Sequence, residues 1–354
     1  MRPPRCNPFT LPKPGRGALS HALRTLLIVI AVTPFIGIPS RAMAATGPDS
    51  MAAIGDSITA GFNSHADTWQ IPTSPDTGHC PTGIGPLGVQ SATFGLDCPA
   101  HSWATGTGVN SIYLRIRANN PALDEVSNYA VSAAPVALLP AQAQLAARQG
   151  AELVTVLIGA NDACVPFQTN GTPTPVPVFA SQFRQAMNIL SAAQSHARIL
   201  VASIPDLYQL WQLFHTDPNA VFRWNTEALC PPLFNYATST APADVARRAA
   251  FRLLVAAYNL TEEEICRRTP RCQTDGGALF RTRLTPGDIA TLTNTGGIDP
   301  PPCDALPICA PPPGASFPAG AIPYSTADFL HPSIAGQNRL ADIVWTAWNL
   351  GKAG

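Results

Sequence analysis

Beyond residue 44 the sequence has no apolar run long enough to cross a bilayer, which takes about 20 consecutive apolar residues, so a soluble body with no stable membrane anchor is expected. It has no CxxC pair, a common zinc-ligand spacing, and its histidines His65, His79 and His101 stand 14 and 22 residues apart, matching no ligand motif. No metal and no cofactor is therefore expected. It has no GxSxG pentapeptide, which excludes the nucleophile elbow of the α/β-hydrolases. It also lacks an internal repeat, and no linker would detach a second domain.

Another absence lies at the start. Residues 1–44 contain no acidic residue but six basic ones, Arg2, Arg5, Lys13, Arg16, Arg24 and Arg41. A short, proline-interrupted apolar run from Leu26 to Ile38 follows, and then the small-residue stop Ala42-Met43-Ala44. This pattern predicts a secretory signal peptide over 1–44, cleaved near Ala44, and a single exported domain over 45–354. Its removal turns a balance of 22 basic against 22 acidic residues into 16 against 22. A net acidic protein lacks the basic surface that phosphate binding needs, so no nucleic-acid partner is expected. A monomer is expected.

What is present begins with cysteine. Cys6 leaves with the leader, and Cys80, Cys98, Cys164, Cys230, Cys266, Cys272, Cys303 and Cys309 remain. An even count in an exported chain favours disulfides over free thiols. Proximity in the sequence pairs Cys80 with Cys98, Cys266 with Cys272 and Cys303 with Cys309, leaving Cys164 for Cys230; this is one of about a hundred connectivities.

Short apolar runs bounded by turn residues alternate with helical patterns, the signature of a parallel sheet covered by helices, an α/β fold. The strands are predicted at Met51 to Ile54, Ala151 to Ile158 and Arg198 to Ile204. A helix carries Phe179, Phe183, Met187 and Leu190 on one face. A closing helix follows Pro332-Ser333 and carries Leu340, Ile343, Val344 and Ala347. Two long loops interrupt the rhythm, at about 63–110 and 298–323. Their cysteines predict ordered flaps near a site.

The sharpest chemical signal is Gly55-Asp56-Ser57, directly after the first strand, where parallel sheets place their ligands. A serine hydroxyl needs a base to become a nucleophile. Asp328-Phe329-Leu330-His331 supplies one: a spacing of three lets Asp328 fix the imidazole tautomer while the other ring nitrogen faces Ser57. Gly159-Ala160-Asn161-Asp162 follows another strand and places the Asn161 amide where it can donate to an oxyanion; the bland alternative is a turn-forming residue. Asp56 and Asp162 are expected to hold loops. Tyr208, Trp211, Phe214 and Trp224 either line an acyl pocket or a mouth that meets lipid, or pack in the core, and the sequence does not separate these.

Taken in order, the segments AAIGDSITAGF, SWATGTGVNS, NYAVSAA, VTVLIGANDAC, ASIPDLYQLW and DFLHPSIAGQ resemble the extracellular esterases and lipases of the GDSL or SGNH hydrolase superfamily. The resemblance runs from about Ala52 to the C-terminus. It implies a three-layer α/β/α sandwich, flavodoxin-like, with a central parallel sheet and disulfide-braced loops. It implies a triad of Ser57, Asp328 and His331, and an oxyanion hole made by the backbone N–H of Ser57, the Asn161 side chain and a backbone N–H in Val131-Ser132-Ala133-Ala134. There alanine, Ala133, stands where the family has glycine. If the position requires positive φ, its Cβ costs about 1 kcal/mol. The expected substrate is a small-molecule or lipid ester. A carbohydrate O-acetyl esterase is the alternative within enzymes, and a catalytically silent binding module the alternative outside them.

Overall fold

A computed structural model of the chain describes residues 47–64, 97–165, 172–193, 197–291 and 328–349. Five strands, β1 (Ser50–Gly55), β2 (Glu125–Asn128), β3 (Leu153–Leu157), β4 (Arg198–Val201) and β5 (Cys272–Thr274), form one parallel sheet in the order β2-β1-β3-β4-β5. Among these residues are the helices α1 (Ser57–Ala60), α2 (Ile112–Arg117), α3 (Leu139–Gln149), α4 (Ala160–Cys164), α5 (Val176–Ala193), α6 (Tyr208–Phe214), α7 (Pro218–Thr226), α8 (Pro231–Phe234), α9 (Pro242–Arg268), α10 (Ala278–Arg281) and α11 (Ile334–Ala347).

The sheet is buried on both faces because its central strands β1, β3 and β4 are apolar apart from Thr155 and some end residues. Alternate side chains of a strand point to opposite faces. Ala52, Ile54, Val154, Val156, Ile199 and Val201 join a core with Ala143 of α3, Phe183 of α5 and Val255 of α9. Their neighbours Met51, Ala53, Leu153, Leu157 and Leu200 join a second core with Ile112 of α2, Leu279 of α10 and Val344 of α11. The result is the expected three-layer α/β/α sandwich. At about 25 cal/mol per Å², burial on two faces supplies most of the drive to fold.

The three predicted strands are all present. Two of them stop before their apolar runs do: Ile158 is buried just past the end of β3, and Ala202 to Ile204 continue, buried, beyond β4. The two edge strands β2 and β5 carry the polar sequences EVSN and CQT, which give no strand signal. Two of the expected disulfides are formed, Cys164–Cys230 and Cys266–Cys272. The second ties the end of α9 to β5. Cys98 is also disulfide-bonded. The predicted pairs Cys80–Cys98 and Cys303–Cys309, the histidines His65 and His79, the 298–323 loop and the leader each lie wholly or partly outside the described residues. No helix among the described residues is long and apolar enough to cross a membrane.

Candidate functional site

In a sheet of this strand order the crevice for a ligand opens at the carboxyl ends of the strands where the winding reverses. Here that point lies between β1 and β3. Ser57 follows β1, and Asn161 follows β3.

The turn after β1 depends on glycine. Gly55 has φ +153°, and a Cβ there would stand 2.2 Å from the carbonyl oxygen of Leu157. The Gln142 side chain, fully buried, clamps this peptide, accepting from Gly55 N–H at 2.7 Å and donating to Gly55 C=O at 2.9 Å. Asp56 caps α1 by accepting the Ile58 N–H at 3.0 Å. Complete burial pushes its carboxyl up to about 7, with that hydrogen bond opposing the shift. From the other face, Gln337 of α11 donates to Ile58 C=O at 2.9 Å and accepts from Trp103 N–H. Ser57 is thereby held from both sides of the sheet.

His331 Nε2 stands 2.8 Å from Ser57 Oγ, and His331 Nδ1 stands 2.6 Å from Asp328 Oδ2. The other Asp328 oxygen accepts the backbone N–H groups of Leu330 and His331 at 2.9 and 2.8 Å. Asn63 Nδ2 donates to Asp328 Oδ2 at 2.7 Å. Phe62 lies with its ring centroid 4.8 Å from the imidazole. All three residues, Ser57, Asp328 and His331, are buried. Burial alone favours neutral groups, but the two partners reverse this for each other. Against a burial cost that would lower it, the charge and hydrogen bond of Asp328 hold the His331 pKa above its ordinary value. Asp328 stays below its own: burial would raise it, but the cationic imidazole, its hydrogen bond, the backbone N–H of His331 and Asn63 outweigh that.

Asn161 lies in the first turn of α4 after Gly159, whose φ is +117° and where a Cβ would press on Ile204 and Phe179. The Asn161 amide donates to Ala134 C=O at 3.1 Å, and Asp162 accepts the Val136 N–H at 2.8 Å. Two bonds thus tie α4 to the Ala133 segment. Ala133 has φ +61°, the left-handed conformation in which alanine is strained. Ser57, Ala133, Asn161 and His331 line one cavity of about 100 Å³, together with the apolar Ile58, Phe62, Leu207, Leu229 and Leu330, the Cys164–Cys230 disulfide and Glu227.

The aromatic group belongs elsewhere. Trp224 stacks on Phe234 at 3.8 Å between centroids, Phe214 meets Phe329 edge-on, and Trp211 Nε1 donates to Ala237 C=O. None of the four lines the cavity beside Ser57. Phe214 and Trp224 are buried in the core, Tyr208 and Trp211 are half-buried against it, and Phe214 supports the loop that carries Asp328 and His331. His101 meets Ser64 Oγ at 3.1 Å. Among the described residues no group of three or more His, Cys, Asp or Glu side chains could hold a metal ion.

Asn63, Gln142 and Glu227 lie outside the segments that carry the resemblance, and Gln337 closes the last of them without a chemical pattern of its own. A glutamine on the buried face of α3 or α11 is a signal only as a polar residue among apolar ones. Its backbone partner is far away in sequence and cannot be read from it.

Among solved structures, the chain is similar to a protein described as a GDSL-like lipase from Parabacteroides merdae, at 13% identity and a TM-score of 0.41 over 85% of this chain and 96% of that one. It is also similar to TesA, at 18% identity and a TM-score of 0.32 over 85% and 98% of the two chains. An acetyl xylan esterase, AlAXEase, matches at 11% identity and a TM-score of 0.32 over 84% and 98%. Likeness this low fixes neither substrate nor mechanism. No curated protein matches the chain significantly. The sequence model of the GDSL-like lipases and acylhydrolases, in contrast, matches residues 51–344, from β1 into α11. The chain belongs to the GDSL-like lipase/acylhydrolase family of hydrolases.

Proposed function

We propose that the protein is a secreted serine hydrolase that cleaves carboxylic esters of small or lipid alcohols through an acyl-enzyme on Ser57. The observation that carries this reading is the unbroken chain of hydrogen bonds from Ser57 Oγ through His331 to Asp328, at 2.8 and 2.6 Å.

In this mechanism His331 takes the Ser57 proton as the hydroxyl attacks the ester carbonyl. Asp328, bonded to Nδ1, fixes the tautomer that leaves Nε2 free to accept, and stabilises the imidazolium that forms. The negative charge on the carbonyl oxygen is met by the Ser57 N–H, the Asn161 amide and the Ala133 N–H. Each such donor contributes about 10²–10³-fold to kcat. His331 then returns its proton to the leaving alcohol, and water, activated by the same imidazole, releases the acid.

The apolar side of the cavity supports acyl groups longer than acetyl. Ile58, Leu207 and Leu330 also line a second, apolar cavity of about 40 Å³. Secretion is supported by the leader pattern of residues 1–44 and by the disulfides.

The test is hydrolysis of p-nitrophenyl esters from acetyl to palmitoyl by the protein from Ala45 onward, beside Ser57→Ala and His331→Ala. Loss of at least about 10³-fold in kcat is expected for both variants. Full activity in Ser57→Ala, or an inactive wild type on every ester, would overturn the assignment.

A further inference from the structure

We infer that Glu227 is a specificity residue: its carboxyl takes a hydrogen bond from a hydroxyl on the alcohol part of the ester, so polyol esters are preferred over simple alkyl esters. The inference rests on the ester-hydrolase reading of the same site. Glu227 follows α7 and, among the described residues, is the one acidic side chain besides Asp328 on the cavity that contains Ser57 and His331. Its Oε1 pairs with Arg223 at 2.8 Å, and both side chains are largely buried. A carboxylate has about four acceptor sites, so a guanidinium approaching from one side leaves room for a further donor.

Placement decides which part of the substrate this carboxyl meets. The leaving alcohol must lie beside His331, because His331 protonates it. Glu227 lines the same cavity as His331 and Asp328. With His331 on that shared wall, we place its carboxyl on the alcohol side of the site.

Its partner decides the chemistry. Arg223 pairs with the carboxyl and is not among the residues that line the cavity. An ionised Glu227 is already neutralised by the guanidinium, and a protonated one leaves the pair cationic. In neither state does a substrate ammonium gain. A hydroxyl gains in both, since it can donate to the carboxylate or accept from the acid. Burial, opposed by Arg223, pushes this carboxyl up to about 7, so both states are within reach. A substrate that fills the closed site without pairing the carboxyl leaves it desolvated, and that cost is what makes it selective.

The experiment holds the acyl group constant and varies the alcohol. kcat/KM is measured for glyceryl 1-monobutyrate, ethyl butyrate and butyrylcholine with the wild type, Glu227→Gln and Glu227→Leu. The double variant Arg223→Met/Glu227→Leu removes the pair together, so that no buried guanidinium is stranded if the single variant fails to fold. The expected result is a wild-type preference for the glyceryl over the ethyl ester that falls by about tenfold in Glu227→Leu and in the double variant, and is partly kept in Glu227→Gln. A merely structural role would lower both esters in parallel. That outcome, or a wild type with equal kcat/KM on both, overturns the inference while the ester-hydrolase reading stands. A preference for butyrylcholine that depends on Glu227 also overturns it, in favour of a cation site. A wild type inactive on these esters and on p-nitrophenyl butyrate overturns both readings.

Discussion

Asn63 donates from Nδ2 to Asp328 Oδ2 across 2.7 Å, onto the same oxygen that faces His331 Nδ1. A carboxylate buried this completely stays ionised only if its lone pairs are occupied, and Asn63 occupies one that the imidazole leaves open. In the proposed mechanism the residue acts through Asp328, as a positioning group. Its φ of +53° places it in the left-handed region, so Asn63→Gly removes the amide without adding backbone strain. The expected outcome is a fall in kcat of about tenfold with KM nearly unchanged, from the loss of one hydrogen bond to a charged group. Unaltered kcat in a folded Asn63→Gly protein would count against any role beyond packing.

The opposite pKa shifts of the pair make both activity and stability depend on pH. In the proposed mechanism His331 must be neutral to act as base, and its pKa is held above the ordinary 6.5, so the acidic limb of kcat/KM on p-nitrophenyl butyrate should have its midpoint above that value. Asp328→Asn removes the charge that raises it and should move the midpoint downward while lowering kcat by about 10⁴-fold. For stability the signs differ. The raised pKa of His331 gives stability that is fully present below 6.5 and is lost as pH rises through the folded value. The lowered pKa of Asp328 gives stability present above 3.8 and lost as pH falls through its folded value. In thermal melts the gap between wild type and Asp328→Asn should be widest between the two folded pKa values and should narrow as pH falls through that of Asp328 or rises through that of His331; a gap independent of pH would contradict the coupling.

The chain's own letters reveal the central strands and the candidate nucleophile, because each is a local pattern: an apolar run for β1, β3 and β4, and a turn tripeptide at Gly55-Asp56-Ser57. The rest depends on partners distant in sequence. β2 and β5 are short edge strands whose side chains are partly exposed, so no burial pattern marks them. The 27 residues of α9 carry arginines and glutamates on most turns and give no clear apolar face, although Phe251, Val255, Tyr258 and Ile265 are buried in the finished fold. Gln142 meets Gly55 87 residues away, Gln337 meets Ile58 279 away, and Asn63 meets Asp328 265 away. Such contacts follow from topology alone. The aromatic residues near Tyr208 are ambiguous for the same reason: core and pocket present the same hydrophobic letters until the cavity is located.

At Ala133 the strain expected for a glycine position is realised, since its φ is +61°. Glycine adopts that conformation without penalty, so Ala133→Gly should stabilise the fold by about 1 kcal/mol, less the extra chain entropy glycine carries when unfolded. The melting temperature should rise by about 1–3 °C. Activity should be retained, because the change leaves the backbone N–H of this cavity-lining residue in place. A lower melting temperature would mean that the Ala133 methyl contributes packing that outweighs its strain.

Glu262 presents the opposite problem, a charge-bearing group with nothing to hold it. It lies on α9, 1% exposed, and neither carboxyl oxygen has a hydrogen-bond partner among the described residues. Burial, with the nearby charges of Asp275, Asp162 and Asp56 adding to it, raises its pKa well above the ordinary value of 4.5. The unfolded chain ionises near 4.5 and the folded one does not, so wild-type stability should decline as pH rises from there until the folded pKa is passed. Glu262→Met fills similar space without a titrating group and escapes that decline. Its melting temperature should exceed the wild type's by at least about 2 °C at about pH 8, with a smaller gap at about pH 5. A gap independent of pH would mean that Glu262 keeps the same protonation state folded and unfolded, and a destabilised variant would mean that the carboxyl has partners that outweigh its burial.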